Sequence, residues 1–152
     1  MNATVGAALL EVHDLDQSTA SPITNISTRG SVGTNANVMI GGFIVGGGLG
    51  ANGHGSSKVL VRALGPELAS FGIADALLDS TLDLVDGNGN LVGSNDNWKD
   101  SQQAAIEATG LAPGDDREPA ILTTLIQGNW TVIMRGKNNT TGVGLVEVYR
   151  IQ

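Results

Sequence analysis

Apolar positions along this chain come in short runs, each closed by Gly, Asn, Asp, Ser or Thr. That punctuation predicts strands joined by turns rather than long amphipathic helices. In "KVLVRAL", Val59, Val61 and Ala63 fall on one face and Leu60, Arg62 and Leu64 on the other, because strand side chains alternate. "ITNISTRGSV" reads as a strand. "NVMIGGFIVGG" is apolar almost throughout and predicts a strand buried on both faces. "TLDLVDGNGNLVGSNDNW" is the clearest hairpin, with Leu82 and Leu84 before an Asp-Gly-Asn-Gly turn and Leu91 and Val92 after it. "AILTTL", "NWTVIMRG" and "GVGLVEVYRI" close the chain as three strands, joined at Gln127-Gly128 and at Lys137-Asn138-Asn139. "GPELASFGIADALLD" predicts a short helical turn opened by Pro66, and "KDSQQAAIEATG" a short helix ending at Gly110. With a strand at the front, the sum is an all-β chain of about nine short strands and one or two short helices, a jelly-roll-like β-sandwich.

The front strand carries the most informative pattern. "TVGAALLEVHDLD" and "TTGVGLVEVYRIQ" align with Leu9 on Leu145, so that Leu9, Leu10, Glu11, Val12 and His13 match Leu145, Val146, Glu147, Val148 and Tyr149. Thr4 falls on Thr140 and Gly6 on Gly142. In both copies the small and branched residues share a face (Ala8, Leu10, Val12; Gly144, Val146, Val148), and the glutamate points the other way. The expected organisation is a spare strand over 1–16, a polar linker over 17–24 and a sandwich over 25–152. The leading copy either folds back on its own sandwich or pairs with the open edge of a neighbouring copy. All ten of these matched residues, Leu9–His13 and Leu145–Tyr149, are therefore candidates for self-association into a homo-oligomer or polymer.

Composition narrows the classes. With 152 residues, 41% of them hydrophobic, the chain suits one domain with a true core. A net charge of −7 and only eight basic residues argue against nucleic acid as a partner. Without cysteine there are neither disulfides nor thiolate metal sites. No apolar run approaches the ~20 residues of a membrane span, and the start lacks the features of a signal peptide. That leaves a cytosolic protein or a segment cut from a longer secreted chain, and the second is the favoured expectation.

Candidate chemistry is thin. Gly48, Gly50 and Gly53 match a dinucleotide fingerprint in spacing, but a strand follows where a helix is required. Asp86, Asn88 and Asn90 space oxygens at alternate positions as a calcium loop does, with Asp96, Asn97 and Asp100 to follow. Turn chemistry alone explains the same residues and is the favoured reading; a structural Ca²⁺ on Asp86, Asn88, Asn90, Asp96 and Asp100 stays open, and no other cofactor is expected. His13 and His54 are the only histidines, and neither has a nucleophile elbow to serve. Asp115, Asp116 and Glu118 read as a solvated acidic loop. Trp98, expected to be partly exposed, is a candidate platform for a glycan; Trp130 is expected in the core or at its edge. No enzyme is expected.

"NISTRGSVGTNANVMIGGFIVGG", "KVLVRALGPELASFGI", "LDLVDGNGNLVGSNDNWKD" and "TTGVGLVEVYRI" together resemble the tandem repeat units of large secreted proteins of Verrucomicrobia and related environmental bacteria. Secretion and repetition are what that resemblance implies, with 136 positions between Leu9 and Leu145 as the repeat offset. "LDLVDGNGNLVGSNDNW…ILTTLIQGNWTVIMRG" is more loosely similar to bacterial pre-peptidase C-terminal domains, with Trp130 where Tyr is usual. That likeness implies a non-catalytic accessory module. The combined expectation is an extracellular or cell-surface structural or adhesive subunit that self-associates through its terminal strands. The alternative is an accessory module binding glycan or calcium.

Overall fold

The computed structural model describes residues 10–12, 24–46 and 55–151. Eight strands make two four-stranded antiparallel sheets: β1 (Asn25–Val32), β2 (Met39–Val45), β3 (Ser56–Leu64), β4 (Ser80–Asp86), β5 (Leu91–Asn95), β6 (Ala120–Ile126), β7 (Gly128–Gly136) and β8 (Gly142–Ile151). One sheet has the order β1-β8-β3-β6 and the other β2-β7-β4-β5. Strand one pairs with eight, two with seven, three with six and four with five, which is the wrapping of a jelly roll. The expected sandwich is therefore the observed one. Eight strands are described where about nine were expected; residues 10–12 of the leading copy have no regular secondary structure, and the rest of that copy lies outside the described residues.

Alternation decides which face of each strand is inward. Val59, Val61 and Ala63 of β3, Leu82 and Leu84 of β4, Trp130, Val132 and Met134 of β7, and Val146 of β8 fill the space between the sheets. A second cluster lies on the outer face of the first sheet, where Leu60 and Leu122 meet Trp98 and Ile106. The long connection from β5 to β6 supplies that cover, with a 3₁₀ turn at Trp98–Asp100 and the helix α1 (Gln103–Glu107). The expected short helix is thus present, and the turn opened by Pro66 is 3₁₀ over Pro66–Phe71.

The strand expected to be buried on both faces is not. β2 is the edge of its sheet, and only Met39, Phe43 and Val45 point inward. Ile40 is 60% and Ile44 70% exposed. Apolar character on both faces predicted two covering layers, but the described residues supply one.

Candidate functional site

β8, the trailing copy of the repeat, is one of the two inner strands of its sheet and is paired on both edges. β1 runs along one side from Asn25↔Tyr149 to Val32↔Gly142, and β3 along the other from Lys58↔Ile151 to Leu64↔Leu145. Leu145, Val146, Glu147, Val148 and Tyr149 consequently have their backbone groups committed within one molecule, and none of the five offers an open edge for self-association. Leu10, Glu11 and Val12 of the leading copy have no regular secondary structure, with Leu10 84% and Val12 67% exposed. Leu9 and His13 lie outside the described residues.

Arg62 and Tyr149 account for the charged Glu147 in so apolar a strand. Its Oε2 accepts from Arg62 Nε at 2.6 Å, and its Oε1 accepts from the Tyr149 hydroxyl at 3.0 Å. Arg62 also donates to the Leu111 carbonyl at 2.7 Å and to the Tyr149 hydroxyl at 3.2 Å, and its guanidinium lies 5.1 Å from the centre of the Tyr149 ring. Burial first, and then the bond to Glu147, pushes the Tyr149 phenol above its ordinary pKa. This network ties β8 and β3 to the covering loop. Arg62 was not singled out from the sequence, although it is the charge inside the apolar run of "KVLVRAL", is opposite in sign to the lone charge of "GLVEVY", and could have been matched to it.

The acidic loop divides. Asp116 is solvent-exposed and Asp115 pairs with Arg117 at 2.7 Å, which holds its carboxyl below the ordinary range. Glu118 is fully buried, contrary to the expected solvated face. Its Oε1 accepts from the backbone N–H of Gly65 at 3.0 Å and of Glu67 at 2.8 Å, and its Oε2 from that of Asp115 at 3.3 Å. Those donors favour the carboxylate, but loss of water outweighs them and raises its pKa above the usual 4.5. Glu118 is a clasp between the loop after β3 and the β5–β6 connection.

The five oxygen-bearing candidates for calcium are not brought together. Asp86 Oδ1 accepts from the N–H groups of Asn88 and Asn90 at 2.8 and 2.9 Å, and Oδ2 accepts from Asn90 Nδ2 at 2.9 Å. Both oxygens therefore serve the turn, where Gly89 supplies the left-handed φ of 86°. Asp96 and Asp100 stand at the far end of β5, about 17 Å away at ~3.3 Å per residue. There Asp96 meets Lys137 Nζ at 2.7 Å, and Asp100 accepts from Asn97 Nδ2 at 3.1 Å. Trp98 is only 5% exposed and donates from Nε1 to the Asp115 carbonyl at 3.2 Å, so its ring is enclosed rather than offered to a sugar. Trp130 is in the core as expected, with Nε1 donating to the Ile126 carbonyl at 3.1 Å. Gly48, Gly50, Gly53 and His54 lie outside the described residues. Among the described residues, no three His, Cys, Asp or Glu side chains gather as a metal site, and no helix is long and apolar enough to cross a membrane.

No protein-family model matches this chain, and no curated protein does. Among solved structures it is similar to the pre-peptidase C-terminal domain of a collagenase from Bacillus anthracis, at 12% identity over 82% of this chain and 89% of that one, with a TM-score of 0.49.

Proposed function

We propose that this chain is a non-enzymatic structural module of a bacterial extracellular surface that self-associates head-to-tail, the leading segment of one copy adding as a strand to the next. One observation carries the reading: Leu10 and Val12 stand in solvent, although their sequence copies a strand whose equivalents Val146 and Val148 pack between the sheets. A segment with strand patterning whose described apolar side chains are exposed gains backbone pairing and apolar burial by joining a sheet. Because donor and receiver are different surfaces, the contact is heterologous and yields a filament unless the rotation closes. The extracellular setting rests on the motif resemblance to secreted tandem repeats.

Removal of Met1 to Asp16 tests it. The full chain is expected to grow in particle mass with concentration, and the truncated chain to remain monomeric. Equal assembly of the two would overturn the reading.

A further inference from the structure

The sandwich has four edge strands, and three are guarded. β6 is capped by side chains: Asn95 Oδ1 accepts from Ala120 N–H at 2.9 Å, while Gln102 accepts from Leu122 N–H at 3.0 Å and donates to its carbonyl at 2.8 Å. β5 is a strand of five residues whose pairing shifts register beside Leu84 and Val85. β1 exposes Asn25, Ser27, Arg29 and Ser31, a polar row with a charge, which is a common protection of sheet edges. β2 has none of these devices. "MIGGFIV" contains no charge and no proline, pairs with β7 in unbroken register, and turns Ile40, Gly42 and Ile44 to the outside. Among the described residues, nothing hydrogen-bonds to β2 on the side away from β7. The outer face beside that edge is open as well, since a Cβ built on Gly42, which points outward with Ile40 and Ile44, meets no atom within 4 Å.

We infer that the free edge of β2 is the receiver for residues 4–13 of a second copy; this names the acceptor of the self-association proposed above and rests on it. The segment is suited to that edge by pattern, carrying Glu11 as its one acidic residue and apolar Ala8, Leu10 and Val12 on one face. Roughly eleven residues separate it from β1, a reach of up to about 36–40 Å when extended, enough to cross to a neighbour. Leu10 and Val12 are exposed in the single chain rather than laid against its own β2.

Exchange into the slot of β8 is disfavoured. Ala8 falls on Gly144, where an added Cβ would lie 2.5 Å from Met134 Cε and 3.0 Å from Val32 Cγ2. Leu10 would enlarge the tightly buried place of Val146, and His13 lacks the hydroxyl that bonds Arg62 and Glu147. An open edge makes none of these demands.

Three full-length variants test the assignment, with mass measured by light scattering after size exclusion. Leu10→Lys/Val12→Lys disables the donor, Ile40→Lys/Ile44→Lys the acceptor, and Ser27→Lys/Ser31→Lys places equal charge on β1 as a control. The expected result is monomers from the first two, a species of twice the monomer mass when those two are mixed, and wild-type assembly from the control. An acceptor variant that assembles normally beside a monomeric donor variant would overturn β2 as receiver while sparing the self-association. A donor variant that assembles as wild type overturns both. A donor variant that dimerises beside a monomeric acceptor variant means two β2 edges pair with each other, and a monomeric control means charge alone blocks assembly; either overturns the assignment. Should the acceptor variant lose the wild-type circular dichroism, hydrogen exchange on the wild-type chain decides: β2 amides are expected to slow about tenfold on assembly, and unchanged exchange overturns the assignment.

Discussion

The two sheets share a core but face water differently. The outer face of the β1-β8-β3-β6 sheet is roofed by the β5–β6 connection, with Trp98 and Ile106 packed on Leu60 and Leu122. Among the described residues the outer face of the β2-β7-β4-β5 sheet has no such roof, and Ile40 and Ile44 are exposed along its edge. Full burial of an aliphatic side chain is worth roughly 1.5–3 kcal/mol, so the bare face leaves unused the burial that the roofed face has realised. Binding capacity is thus to be sought on the bare side, and stability on the roofed one.

Substitutions under the roof should separate from those on the bare face. Glu118→Ala is expected to cost about 4 kcal/mol in urea unfolding, since it strands three backbone N–H groups in a buried place. Arg62→Met should cost about 3 kcal/mol, because it leaves Glu147 nearly buried without its cation. Gln102→Ala, which uncaps β6 at Leu122, should cost about 1–2 kcal/mol by the same unfolding measurement. On the bare face, Ile40→Lys/Ile44→Lys should shift the stability of dilute monomer by no more than about 0.5 kcal/mol.

Glu118 also makes the roofed side sensitive to pH. Its folded pKa is raised above the unfolded 4.5, so its contribution is fully present below that value and is lost as pH climbs through the folded pKa. Relative to Glu118→Gln, wild type should therefore lose stability as pH rises above 4.5. Asp86 and Asp115 have lowered pKa values, so what they contribute is present above 3.8 and is lost as pH falls below it. Thermal melts of the two proteins at matched pH values separate the two windows.

Strand positions were legible because alternation and turn residues are local signals. "KVLVRAL" placed its two faces correctly, and the Asp-Gly-Asn-Gly turn formed as its chemistry required. Depth was not legible. β2 is more uniformly apolar than β8, yet β2 is an edge and β8 is central, since depth depends on which strands arrive as neighbours. Glu118 and Trp98 misled for the same reason. A charged residue in a polar loop, and an aromatic one after Asn-Asp-Asn, look solvated until the loop is known to fold onto a sheet.

Strand addition at β2 is best tested by hydrogen exchange on the two flanks of the wild-type chain, compared between dilute and concentrated solution. Amides of Met39–Val45 are expected to become protected together with residues 4–13 as concentration rises, while those of β6 stay constant. Protection that appears on any other strand, with β2 unchanged, would contradict it.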